Sequence, residues 1–162
     1  MVAESPPLIP DERPLNDFLW HNNFCRVRGV TEELVVGREE IFFDYQFTKI
    51  PVPNPIPAEV RAFYIDLIKQ DRRTLTASFD YYRAIDEDIP ANHKRMESKL
   101  QMPVLGFAGE LACAAAVEEQ LRQVADHVAC AIIPDCGHFV PEEMPQALLE
   151  LLTPFLEPYR SR

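Results

Sequence analysis

The chain has 162 residues, 47% hydrophobic and 26% charged, which is enough for one ordinary globular domain with its own core. A net charge of −10 argues against nucleic acid as a partner, because phosphate binding needs a basic face. No apolar run is long enough to cross a membrane, and Met1 to Pro7 lacks the basic and apolar regions of a signal peptide, so a cytoplasmic protein without a membrane partner is expected.

Fifteen prolines against five glycines mark two connectors, at Pro6 to Pro14 and Pro51 to Pro57. Residues 1–14 read as an extended leading segment, and the pattern turns helical from Asn16. Thr31 opens a helix expected to run through Gln46, with Leu34, Val35, Ile41, Phe42 and Tyr45 at helical spacing. Pro57 starts another, with Val60, Phe63, Tyr64, Leu67 and Ile68 on one face, since proline suits a first helical turn. Further helices are predicted over Arg72 to Ile85 and Ala91 to Leu100. The first part of the chain, roughly 100 residues, has the 3.6-residue periodicity of helices and no alternation of strands.

The character then changes. Met102 to Gly109 is a short apolar run, Ala114 to Val124 a helix, Val128 to Ile133 a second apolar run, and Glu142 to Leu156 a last helix. This is β-α-β-α, and such units sit in parallel sheets covered on both faces. Two strands alone leave open edges, so the pattern calls for more strands, supplied by the same polypeptide, a second copy or a partner chain.

The chemistry-bearing stretch is Pro134-Asp135-Cys136-Gly137-His138-Phe139-Val140-Pro141-Glu142-Glu143. It places a histidine on a glycine turn between a strand and a helix. Histidine suits a general base because its unperturbed pKa is about 6.5. Against this stands an absence: no Gly-x-Ser-x-Gly or comparable nucleophile elbow occurs in the sequence. Cys25, Cys113, Cys130 and Cys136 form no Cys-x-x-Cys pair and no zinc spacing, so they are expected as reduced thiols, and no metal or other cofactor is implied. His93 and His127 are expected at the surface. The pairs Glu32-Glu33, Glu39-Glu40, Glu118-Glu119 and Glu142-Glu143 are read as mostly solvated helix faces or first-turn charges.

Together with Leu19-Trp20-His21, Ser78-Phe79-Asp80-Tyr81-Tyr82-Arg83-Ala84 and Gln101-Met102-Pro103-Val104, the Cys136 to Glu143 stretch carries a resemblance. In order and approximate spacing, the chain resembles the C-terminal part of α/β-hydrolases of the epoxide hydrolase and haloacetate dehalogenase type. The resemblance covers essentially the whole chain. It implies a partial α/β-hydrolase fold, with residues 15–98 as a helical cap and 99–162 as the last two strands and helices of the core. The nucleophile half would be absent.

The resemblance also assigns roles. An Asp nucleophile outside this sequence would attack an epoxide or halogenated carbon to form an ester, and His138 would activate the water that hydrolyses it. His21 and Tyr82 match the cap residues that donate hydrogen bonds to the leaving oxygen or halide. Dehalogenating relatives carry Trp after that His; Asn22 stands here, which favours the epoxide reading. The acid that orients His138 is unassigned, with Glu110 after Gly109 a candidate. Phe24, Phe43, Tyr64 and Phe79 suggest a pocket for a small apolar substrate. By itself the chain would be inactive, since base, nucleophile and oxyanion donors act as a unit. A non-catalytic module that binds an apolar ligand or a partner chain through its sheet edge is the alternative.

Overall fold

A computed structural model describes residues 13–112 and 114–160, with the side chains of 13–16 and 115 left aside. The expected extended segment lies outside the described residues up to residue 12, and Arg13 and Pro14 already belong to the first helix. The elements in chain order are α1 (Arg13–Arg26), α2 (Val30–Val35), α3 (Glu39–Thr48), α4 (Ala58–Lys69), α5 (Arg72–Arg83) and α6 (Ile85–Arg95), then β1 (Val104–Gly109), α7 (Ala114–Val124), β2 (Val128–Ile133), α8 (Val140–Glu143) and α9 (Pro145–Leu156), with a closing 3₁₀ turn (Glu157–Tyr159). Among the described residues no helix is long and apolar enough to cross a membrane.

The described chain forms two compact units. The first holds the chain through Lys49 together with Pro57–Lys94, and the second holds Ile50–Ile56 together with Arg95 onward.

In the first unit α1 packs on α5, α3 on α4 and α4 on α5. Cys25, Val35, Leu75 and Phe79 form its buried core, flanked by Phe24, Phe42, Phe43, Ile68 and Tyr82. Three sequence expectations are corrected here. The helix predicted from Thr31 to Gln46 breaks at Val36–Arg38, because Gly37 takes φ +76°, the left-handed region that ends helices. Glu39 restarts it, and its carboxylate accepts the Gly37 amide at 3.0 Å. On α4 the buried residue is Ile65, while Phe63 and Leu67 are exposed. The inward face therefore follows Arg61, Tyr64, Ile65 and Ile68, and Arg61 donates to Asp44 at 2.6 Å across to α3. Finally, the helix predicted over Ala91 to Leu100 lies at Ile85–Arg95, with Pro90 inside it and Asp86, Glu87 and Asp88 in its first turn, where they complement the helix dipole.

Helix α5 starts where Asp71 caps it, accepting from the Arg73 amide at 2.8 Å. Near its other end Arg83 makes a buried ion pair with Glu32 at 2.7 Å, the two side chains 4% and 7% exposed. Glu32 also accepts the Gly29 amide at 2.9 Å, and Arg83 reaches Asp80 and the Val27 carbonyl. Arg83 holds the Glu32 carboxyl below its ordinary value of 4.5, against the effect of burial. Glu32 and Glu39 are thus first-turn charges of α2 and α3, one of the two places expected for them, and both are buried.

In the second unit β1 and β2 pair in parallel, Val104 opposite Val128 through Gly109 opposite Ile133, and α7 packs on both. This is the predicted strand–helix–strand, and the described residues form no other sheet. A Cβ on Gly106 would come within 2.3 Å of Leu121 Cδ1 on α7, so this strand position suits glycine. Ile133, Cys136, Val140 and Leu148 form the buried core. The predicted last helix is divided into α8 and α9 at Met144, just before Pro145, which disfavours helical backbone in the residue preceding it. The proline connector packs into this unit: Ile56 is 2% exposed, Asn54 Nδ2 lies 3.4 Å from Met144 Sδ, and Val52 lies over Gly137.

Candidate functional site

Strand β2 ends at Ile133, and the chain turns through Pro134 and Asp135 before reaching Cys136-Gly137-His138. Asp135 adopts φ +56°, a conformation that Asp tolerates better than most residues. The turn is tied to the end of β1: Glu110 N donates to the Ile133 carbonyl at 3.0 Å and Leu111 N to the Cys136 carbonyl at 2.9 Å. The sheet therefore presents Glu110 and the His138 turn at the same edge, the carboxyl ends of its parallel strands, where open α/β sheets place their ligands. The Glu110 carboxylate accepts the Asp135 amide at 3.3 Å, which gives it work in holding the turn.

His138 is exposed, with its ring edge-on to Phe139 at 5.0 Å. Its backbone is fixed by Glu143, a first-turn carboxylate of α8 that is only 7% exposed. Glu143 Oε2 accepts from Gly137 N at 2.5 Å, Oε1 accepts from Phe139 N at 3.1 Å, and the Cys136 thiol lies 3.5 Å from Oε2. The carboxylate so bridges the amides on both sides of His138. The signal for this was available: a Glu four positions after Phe139 can reach back over the start of a short helix, in the manner of a capping box. Burial, and then the neighbouring Glu143 charge, push the Cys136 thiol up to about 11, so it stays protonated and inert. Glu143→Gln keeps the shape but sets an NH₂ group against one of the two amides. It is expected to cost about 1–3 kcal/mol in urea unfolding and to accelerate hydrogen exchange at Gly137 or Phe139; unchanged exchange at both would refute the bridge.

The first unit carries the other two candidates. His21 on α1 is buried, and Tyr82 on α5 meets it edge-on with ring centroids 5.7 Å apart. Of the adjacent tyrosines, Tyr81 is 77% exposed, and Tyr82 is the one turned inward. Burial, with Cys25 and Tyr81 adding to it, pushes the Tyr82 phenol up to about 12, so it remains a hydrogen-bond donor throughout the neutral range. Lys49 Nζ lies 3.3 Å from His21 Nδ1 and 4.5 Å from the centre of the Phe18 ring. Lys49 had no place in the sequence reading, because nothing in the sequence pairs the end of α3 with α1.

The aromatic residues divide differently from expectation. Phe79 is fully buried core, and Phe24 and Phe43 pack against it. An apolar cavity of about 460 Å³ in the same unit is instead lined by Trp20, Leu34, Arg38, Ile41, Phe42 and Tyr45. His93 and His127 are exposed. Cys25, Cys130 and Cys136 are free thiols, and Cys113 lies outside the described residues. Among the described residues no group of three or more His, Cys, Asp or Glu is placed to hold a metal ion.

No family model matches the chain. Comparison with solved structures gives Cfl2 from Burkholderia cenocepacia at 31% identity and a TM-score of 0.84, over 94% of this chain and 52% of that one. The epoxide hydrolase CorEH superposes with a TM-score of 0.81 at 21% identity, over 93% of this chain and 54% of its own. The chain has a partial α/β-hydrolase fold. It is similar to the C-terminal part of an epoxide-hydrolase-like α/β-hydrolase. Among curated proteins, the soluble epoxide hydrolase of Corynebacterium sp. (strain C12) is 27% identical over 117 residues, 72% of this chain and 39% of that protein. The chain thus spans about half the length of the solved structures it matches, and less of the curated relative.

Proposed function

We propose that this chain carries the base and the leaving-oxygen donors of an enzyme that opens a small apolar epoxide through a covalent ester. The observation that carries the reading is the Gly137–His138 turn at the carboxyl end of β2, held from below by buried Glu143. The helical residues 15–98 act as the cap. An aspartate outside this sequence attacks an epoxide carbon, the carbon–oxygen bond breaks, and the developing alkoxide accepts hydrogen bonds from Tyr82 and His21. His138 then takes a proton from the water that attacks the ester carbonyl and passes it to the departing alkoxide; the water's second proton ends on the oxygen freed by ring opening, so a diol leaves and the carboxylate is regenerated. Tyr82 suits its part because it stays protonated, and Glu110 serves the turn that presents the base. The free thiols Cys25, Cys130 and Cys136 fit a reducing, cytoplasmic setting.

The test starts from the mass of the native product in the source cells. A species near twice 18.6 kDa is expected. In that species His138→Ala should lower epoxide turnover by about 10²–10⁴-fold while the ester accumulates, and the purified chain alone should show no turnover. A native product of 18.6 kDa would overturn the reading and turn attention to a partner chain paired along β2, where Ile132 is 55% exposed. Turnover by the chain alone that His138→Ala abolishes would place a complete site within these residues.

A further inference from the structure

We propose that Lys49 is a positioning residue that fixes the tautomer of His21, placing the ring proton on Nε2 and leaving Nδ1 as an acceptor. This rests on the reading of His21 as a donor to the leaving oxygen, and adds which atom donates. The contact is Lys49 Nζ to His21 Nδ1, 3.3 Å. An ammonium group has three N–H donors and no acceptor, so a ring nitrogen at that distance must offer its lone pair. The imidazole is then neutral, and its single N–H is Nε2–H.

Independent contacts seat the ammonium where it does this. Lys49 is the C-cap residue of α3, where the helix dipole favours a cation. Its Nζ lies 4.5 Å from the centre of the Phe18 ring, a cation–π distance. Phe18 and His21 are three residues apart on α1 and so share a face, which lets one ammonium serve both. Tyr82 meets the same imidazole edge-on at 5.7 Å. The pair then offers two uncharged donors, a phenol O–H and an imidazole Nε2–H, and neither needs to lose a charge as negative charge builds on an oxygen.

The test is ¹⁵N NMR of the histidine side chains in the full chain near neutral pH, with His21 assigned by its loss in His21→Gln. The expected spectrum has His21 Nδ1 in the acceptor range and Nε2 in the N–H range. Lys49→Met, which keeps an apolar stem on Phe18, should abolish this preference, and Lys49→Arg should restore it by supplying another cationic donor. A wild-type His21 that is the Nδ1–H tautomer or doubly protonated overturns the proposal whatever the variants do. An unchanged His21 signal in a folded Lys49→Met also overturns it. Should Lys49→Met not fold, the wild-type and Lys49→Arg spectra decide alone. None of these readings needs turnover, so an enzyme with no epoxide activity would refute the functional reading and leave the tautomer assignment standing.

Discussion

Arg83→Met is expected to destabilise the chain by about 3–5 kcal/mol, because it leaves the Glu32 carboxylate buried without its cation. Against a total of about 5–15 kcal/mol for an ordinary domain, that is a large fraction. The pair is interior, at 4% and 7% exposure, so water screens it little. Glu32 also takes the Gly29 amide, and Arg83 ties α5 to the Val27 carbonyl, so the loss reaches the turn between α1 and α2. Urea unfolding of wild type, Arg83→Met and the double variant Glu32→Met/Arg83→Met checks this. The double variant should recover part of the loss, since removing both charges leaves neither stranded; a single variant within about 1 kcal/mol of wild type would mean the pair is hydrated. The pH dependence has a definite sign. Arg83 depresses the folded-state pKa of Glu32 below its ordinary 4.5. The stabilisation is therefore complete above the unfolded value and is lost as pH falls through the lower folded value. That acid-side loss should shrink in Arg83→Met.

Gly109→Ala is the second large effect, and it reaches the candidate base. A Cβ there would lie 2.0 Å from the Gly137 carbonyl oxygen and 2.4 Å from that of Cys136. Both obstacles are backbone, so no rotamer relieves them, and the turn carrying His138 must move. A cost of about 3 kcal/mol is expected, at the upper end of overpacking effects, with displaced amide resonances for Gly137, His138 and Phe139. Gly106→Ala is the control, because its clash is with Leu121 Cδ1, the end of a side chain that can rotate. If Gly109→Ala is no less stable than Gly106→Ala, β1 and the His138 turn do not approach as closely as described.

The sequence made the two-strand unit readable because its signals are local: apolar runs of strand length, a helix between them, and Gly-His after the second. The break at Gly37 was missed because Leu34, Ile41 and Tyr45 continue the helical spacing across it, and only the positive φ of one glycine interrupts the helix. Glu32, Glu39 and Glu143 stand in first turns, one of the two places expected, but their burial was out of reach for a different reason. Whether a carboxylate is solvated or buried depends on the donor it meets, and Arg83 is 51 residues from Glu32. The facing of α4 failed similarly, since Phe63 and Ile65 are equally apolar and only the neighbouring helices select between them. His21 and Tyr82 were named from resemblance. Their ring contact is a tertiary fact that periodicity cannot give, and the same holds for Lys49.

The detour of Ile50–Ile56 through the second unit limits how the protein can be taken apart. The chain passes between the units three times, after residues 49, 56 and 94, so no single cut separates them. A fragment starting at residue 99 would keep both strands but forfeit Val52, which covers Gly137, and Asn54, which touches Met144. Its histidine turn would be uncapped on that side. Dissection by deletion would therefore report on a damaged turn, and either unit is better probed by point substitution within the intact chain.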